Sequence, residues 1–528
     1  MTAVAAPSRG RAAAGVVLLV AIGLASLTEA IAGTVLALGR ADISGDIHAT
    51  PDEFAWLDVG YTAMKMLGYL LAPWLISRVE CVRLVAAATL AMGLASALAG
   101  CTADQDALVA LRVIQGLAGG ILLVTGQTAL FLAYPARVQP LVQALFAVGA
   151  VVAPATLAPA LQGWLIDSQS WTLVFFSVVP IALMATGLLL VVGAPPQPPI
   201  EQRPLDWIGA ALAAVMLVCF TYVLSQGSRW DWFEAPRVLW LTLAGTLALL
   251  SFVGRQMMAG SRGLLDFTIF RSSDFTFAFA VSFVAGAALF GSAYLIPSFA
   301  VAVLGFTPTA AGLLLLPSGA LFVGALLLAG FLMQARGLPP IATVPFGIAM
   351  VMAAMWMLSG SNGESGADDM LPAILLRGFG LGFLFLSITL VAFSRLQTRN
   401  LASGIALFNT CRQLGGLMGV AGLQTLIDNG VARNATVLGA ALSSGAAGLN
   451  ERIATVTATL ASKGIDPLAA GRAATSLLGR AVVGQSTVIA FDTAFNAIAL
   501  LFILAAPILV GIKIGLSRFG ARSERLSA

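Results

Sequence analysis

Long oily runs separated by short polar breaks repeat along the whole chain. A helix needs about 20 apolar residues to cross the hydrocarbon of a bilayer. With that ruler fourteen spans are expected, near 14–38, 54–77, 82–100, 106–128, 139–163, 170–193, 206–226, 236–256, 275–303, 310–334, 340–359, 370–394, 402–428 and 489–513. The stretch between 275 and 334 is the easiest to miscount, because Pro297 and Pro308 both interrupt it. One long polar connection remains, 429–488, rich in Ala, Ser and Thr. Helical spacing of Ile453, Val456 and Leu460 predicts one or two short amphipathic helices there, lying over the outer mouth as a cap or a gate.

Basic residues then fix the direction of the spans. With the N-terminus inside, fifteen arginines fall in inside segments, Arg9, Arg11, Arg203, Arg262 and Arg518 among them, whereas the short outside segments hold only Arg40, Arg229 and Arg237. This bias follows the positive-inside rule, and the long connection does not count against it. Both termini are therefore expected to be cytoplasmic. The apolar stretch after Arg11 is longer than the core of a signal peptide and is read as the first span.

Composition narrows the class. Of 528 residues, 59% are hydrophobic and 10% charged, with a mean hydropathy of +0.95. Soluble domains carry about 25% charged residues, so lipid must be the solvent for most of this chain. A net charge of +4 comes from scattered residues and does not suggest a nucleic-acid partner. Four isolated cysteines and one loop histidine, His48, offer no disulfide framework, metal-ligand spacing or catalytic triad. No phosphate-binding loop of the GxxxxGK[ST] kind is present, so neither an enzyme nor an ATP-driven pump is indicated.

An internal echo suggests two halves. Leu111-Arg112-Val113-Ile114-Gln115-Gly116 on span four is matched by Leu376-Arg377-Gly378-Phe379-Gly380 on span twelve, each the fourth span of a set of six. Paired halves with a site between them are a common plan of secondary transporters. The expected fold is an all-α polytopic membrane protein: a cytoplasmic tail (1–13), a six-helix bundle (14–193), two inserted helices (206–256), a second six-helix bundle (275–513) that includes the outer loop 429–488, and a second cytoplasmic tail (514–528).

These features resemble the major facilitator superfamily, in particular its fourteen-span drug:proton antiporter branch. Arg112-Val113-Ile114-Gln115-Gly116 is similar to a motif on span four whose arginine is implicated in proton transfer. Gly163-Trp164-Leu165-Ile166-Asp167, Leu205-Asp206-Trp207-Ile208-Gly209 and Arg412-Gln413-Leu414-Gly415-Gly416 resemble stretches of spans five, seven and thirteen. Three departures stand out. Pro73, Ser77 and Glu80 replace two glycines and the aspartate of the turn after span two. Ala158 and Gln162 replace glycines of the span-five antiporter motif. Glu29 stands one position from the usual span-one aspartate, about 100° around the helix. The resemblance implies export driven by the proton gradient, with no bound cofactor, across the cell inner membrane. An importer or facilitator of a small organic solute is the alternative on the same fold. Some members of that branch work with a periplasmic adaptor and an outer-membrane channel, a partnership the resemblance leaves open here.

Charges within spans are costly, at least about 2.5–3.5 kcal/mol each at the centre, and are functional candidates by default. Glu29 and Lys65 lie about 14 and 17 Å below the outer ends of their spans at about 1.5 Å per residue, so an ion pair is expected. Desolvation and the neighbouring cation would pull the carboxyl's proton affinity in opposite directions. With Arg112 these form the expected proton-coupling set; a static pair joining spans one and two is the other reading. Asp58, Tyr61, Thr62 and Lys65 make a polar stripe on span two, either a cavity wall or an interhelical seam. Gln115, Arg377, Asn409 and Arg412 complete the expected substrate cavity. Its excess of cations points to neutral or anionic amphipathic compounds.

Overall fold

A computed structural model describes residues 9–36, 39–192, 204–260, 263–443 and 447–527. Arg203 and Arg262 of the inside segments lie outside the described residues, as do residues 1–8 of the first tail. All regular secondary structure among the described residues is helical, with no strand. The first six spans are α1 (Arg9–Thr34), α3 (Pro51–Ile76), α4 (Cys81–Gly100), α5 (Gln105–Ala133), a composite fifth span and α8 (Thr172–Val192). A short helix, α2 (Arg40–Asp46), lies between the first two. The fifth span is built from α6 (Gln139–Ala147), a ten-residue π-helical segment (Val148–Leu157) and α7 (Ala158–Ser168). Next come α9 (Trp207–Gln226) and α10 (Pro236–Ala259). The last set is α11 (Ser273–Ala302), α12 (Pro308–Leu313) with α13 (Leu316–Arg336), α14 (Pro340–Leu358), α15 (Ala367–Phe393), α16 (Thr398–Ser443), α17 (Ala447–Ser462) and α18 (Pro467–Ser527). Pro297 sits inside α11 without ending it, and Pro308 starts α12, so the 275–334 stretch resolves into two spans.

The internal repeat is visible in the packing. In the first set α5 packs on α3 and α4, and α8 packs on α1 and α4; in the second, α15 packs on α13 and α14, and α18 packs on α11 and α14. Two seams join the sets, α3 against α16 and the fifth span against α13. α9 lies against α3 and touches α16, with α10 on its outer side, so the inserted pair flanks one of the two seams. Backbones approach closely where glycine permits it. A Cβ on Gly116 or Gly120 of α5 would run into the carbonyl oxygens of Tyr61 and Lys65 on α3, the small-residue packing typical of membrane helices. On α15, a Cβ on Gly378 would likewise run into Ser318 O of α13.

Twelve helices among the described residues are long and apolar enough to cross a membrane, against the fourteen expected. The two left out are α3 and α16, of 26 and 46 residues. They miss on composition rather than length, because they carry Asp58 and Lys65, and Arg412 and Asn409. The connection 429–488 differs from expectation more sharply. The short helix expected around Ile453, Val456 and Leu460 is α17, which packs on α18; the difference is that α16 continues unbroken to Ser443 and α18 starts already at Pro467. An Ala-rich sequence is helix-compatible even where it is too polar to be read as a span, so the helices run on past the limits that hydropathy sets.

Candidate functional site

Two polar clusters occupy the interior, one within the first helix set and one where α16 of the second set meets α5 and α6 of the first. The first is built on α3, whose start is fixed by a capping box: Thr50 accepts from the Glu53 N–H, and Glu53 accepts from the Thr50 N–H at 2.8 Å. Two turns on, Asp58 begins the polar stripe, with Thr62 hydrogen-bonded to its carboxylate. Lys65 Nζ lies 2.5 Å from Glu29 Oε1, and Glu29 is 1% exposed. The Tyr61 hydroxyl donates to the same Oε1 at 3.0 Å. Room for the carboxylate comes from α5, where a Cβ on Gly119 would lie 2.9 Å from Glu29 Cγ.

Tyr61 joins this pair to Arg112. The guanidinium sits over the Tyr61 ring at 4.0 Å, a cation–π distance. Arg112 is fully buried; Nη1 donates to Ala32 O at 2.7 Å and to Gln115 Oε1 at 2.9 Å, and Nε to Leu57 O at 3.4 Å. Gln115 in turn donates to Ser96 Oγ at 3.2 Å. Glu29, Lys65, Tyr61, Arg112 and Gln115 thus form one network over α1, α3, α4 and α5. Arg112 Nη2 has no hydrogen-bond partner among the described residues.

In the second set Arg377 mirrors Arg112. It too is fully buried, donating from Nε to Ser292 Oγ at 2.7 Å and from Nη1 to Ser318 Oγ at 3.2 Å, with Nη2 unpartnered. It lies between α11, α13 and α15, apart from the central cavity in which it was expected.

That cavity holds about 20 Å³, room for about one water. Asn409 and Arg412 line it, as do Gln127, Gln143, Thr389 and Phe385, whereas Asp58, Tyr61, Thr62 and Gln115 do not. Arg412 Nη2 donates to Asn409 Oδ1 at 2.7 Å, and Asn409 Nδ2 to Gln127 Oε1 at 3.3 Å across the seam. The chain continues down the first set: Gln127 donates to Gln143 at 3.2 Å, Gln143 to Gln139 at 3.2 Å, and Gln139 to Tyr134 O at 2.8 Å. Sequence reasoning missed these glutamines because uncharged amides do not stand out among apolar residues. The available signal was the Gln139–Gln143 spacing of four, which puts two amides on one face of a membrane helix.

Contacts bridge the two sets at both ends of the bundle. At the end where α7 meets α12, the Asp167 carboxylate accepts from the Thr309 N–H at 3.0 Å and from its hydroxyl. At the other end Phe131 of α5 meets Phe393 of α15 edge-on at 5.6 Å. Near that second end a cavity of about 70 Å³ is lined in part by Trp74, Ser77, Asp206, Asp266 and Arg399. Asp206 caps α9 through the Gly209 N–H at 3.0 Å and pairs with Arg255 of α10 at 2.6 Å. Burial pushes its carboxyl up, but hydrogen bonds from Arg255 and Gly209, with the charge of Arg255, outweigh this and hold it below the usual carboxylate range. Two of the motif departures have visible partners. Glu80 pairs with Arg83 at 3.0 Å on the surface, and Gln162 donates to Thr34 Oγ1 at 2.7 Å and Ile31 O at 3.0 Å.

Several known proteins are similar in sequence over most of this chain. The multidrug export protein EmrB of Escherichia coli is 26% identical over 416 residues, 78% of this chain and 80% of its own length. The fatty acid resistance protein FarB of Neisseria gonorrhoeae is 25% identical over 503 residues, 95% of this chain and 96% of its own. The colistin resistance protein EmrB of Acinetobacter baumannii is 24% identical over 481 residues, 89% and 91% of the two chains. The sequence profile of the Major Facilitator Superfamily matches residues 18–420, so a bundle of repeated helix sets around two buried polar clusters has its explanation: this chain belongs to the Major Facilitator Superfamily.

Proposed function

We propose that this membrane transporter is a proton-coupled exporter of small amphipathic compounds, working by alternating access in the cell inner membrane. Fourteen spans, counting α3 and α16, would place both termini in the cytoplasm, in keeping with the arginine bias. The observation that carries the reading is the Glu29–Lys65 pair, a carboxylate almost without solvent, held by a lysine and a tyrosine beside Arg112. A buried acid–base pair is costly to desolvate, which makes one inside a membrane helix bundle a functional candidate. In this reading the Glu29 carboxylate binds a proton from outside, which frees Lys65 and Tyr61 from it; the proton then leaves Glu29 to the inside as the pair re-forms, and Arg112 holds α1 and α3 in register. The substrate is then handled at the seam by Gln127, Asn409 and Arg412. Arg377 holds α11 and α13 as Arg112 holds the first set. The names of the similar proteins, multidrug export and resistance to fatty acids and colistin, support export of amphipathic molecules.

Reconstituted vesicles carrying an imposed pH gradient test this directly. Glu29→Gln is expected to lower gradient-driven transport at least about 100-fold, the scale of losing a positioned proton-transfer group, while substrate binding persists. Full coupling retained in that variant sinks the proton-site role. Import or facilitation is the second reading, favoured by Ala158 and Gln162 standing where the antiporter motif has glycines. Accumulation differences unaffected by an uncoupler would decide for it. Any periplasmic adaptor would have to meet the projecting α16–α18 hairpin.

A further inference from the structure

A larger cavity than the central one lies on the other side of the fifth span, with a volume of about 340 Å³. It is bounded by α1, the π segment and α13, at the seam away from the inserted helices. Its walls are apolar, with Leu27, Leu145, Val152, Leu316 and Val323 among them. The hydroxyl of Thr156 is turned back onto Val152 O at 2.8 Å. Leu145 and Leu157, at 39% and 49% exposed, stand at its mouth on the outward surface of the bundle. In a membrane that surface meets hydrocarbon.

The wall between the two cavities is unusual. π-helical geometry normally appears as single-turn bulges at functional sites, yet here it runs for ten residues and contains Pro154. Ala147, Ala150 and Val151 face the central cavity, and Val148, Gly149 and Val152 face the outer one. Between Ala147 and Ala153 no side chain of this helix is larger than valine, and that thin stretch, flanked by Gln143, Leu145 and Phe146, separates a lipid-facing cleft from Asn409 and Arg412. Glycines bring the neighbours against it: a Cβ on Gly149 would lie 2.8 Å from Gly23 O, and one on Gly319 2.5 Å from Thr156 Oγ1.

We propose that this cleft is a lateral portal, which takes the hydrocarbon tail of an amphipathic substrate directly from the bilayer, with the π segment as the movable wall its polar head passes. The proposal rests on the export reading above and adds the route of loading. Three observations select the occupant. The opening is on the lipid side, the lining is apolar, and the volume falls in the range of about 300–1,000 Å³ usual for ligand sites. A resident phospholipid would suit the cleft as well but would give no role to the shared wall.

The test uses the full chain in lipid nanodiscs with a long-chain fatty acid carrying a diazirine in its tail. After photolysis, labelled peptides are mapped. Labels are expected to concentrate on residues 145–157 and 316–323, over the outward faces of α10 and α14, and to be displaced by unlabelled fatty acid. Ala320→Phe, which fills the cleft from its outer edge, is expected to reduce that labelling about ten-fold, a loss of about 1.4 kcal/mol of binding. Leu247→Phe on the outward face of α10 should leave it unchanged. Labelling spread evenly around the bundle overturns the portal. So does labelling by a diazirine phospholipid that free fatty acid does not displace, which would make the cleft a lipid seat. Uncoupler-insensitive transport with the labelling pattern intact would instead overturn the export reading and leave the site standing.

Discussion

Lys65 and Glu29 are paired in a dry interior, so deleting one is worse than deleting both. Lys65→Met leaves a buried carboxylate without its ion-pair partner, with Tyr61 as its remaining hydrogen-bond donor among the described residues, and such broken pairs typically cost about 3–5 kcal/mol. Glu29→Gln combined with Lys65→Met should regain most of that stability, read as thermal unfolding in detergent. Equal losses in the single and double variants would mean that the two groups are not coupled. Their meeting was legible from sequence, because a fixed rise per residue places both at the same depth. Arg112 was legible from its motif, and the structure gives Gly116 in that motif a packing task against the α3 backbone. Arg377 was legible as buried but not in its surroundings, since Ser292 and Ser318 look like any small residues in an oily run. Gln127 and Gln143 carry no charge and left no comparable trace.

Individual helices show where an apolarity ruler works and where it misleads. It found α1, α4, α5 and most later spans to within a few residues, since lipid demands length and oiliness together. It gave no hint of the π segment, which depends on backbone hydrogen bonding rather than composition. Helical spacing found α17 within 429–488, but the ruler ended the preceding span near residue 428 although nothing forbids a helix on to Ser443. The start of α9 offers a measurable contrast. Asp206 is held below the ordinary carboxylate range in the folded chain, so its tie to Arg255 and Gly209 stabilises the fold above that range and is lost as pH falls through it. The unfolding temperature of Asp206→Asn should therefore lie below that of the parent at neutral pH and converge with it under acid. A gap that stays constant to low pH would show that ionisation of Asp206 does not hold α9 to α10.

Alternating access requires the two helix sets to part at one end at a time, and the contacts that bridge them mark what must break. Asp167 with Thr309 closes one end, Phe131 with Phe393 the other, and Gln127 with Asn409 spans the middle. Asp167→Cys paired with Thr309→Cys, in a background lacking Cys81, Cys101, Cys219 and Cys411, should form a disulfide that stops transport until reductant is added. Undiminished transport in the oxidised protein would show that this end does not open. The same rocking has an external effect through α16, which carries Arg412 in the interior and runs on without a break to Ser443. Those 31 residues span about 46 Å at about 1.5 Å per residue, so a tilt of about 10° at the seam would swing the tip by about 8 Å. Under the export reading, loading of the interior would thus reach Ser443 as the swing of a mast, which anything seated on that mast would feel.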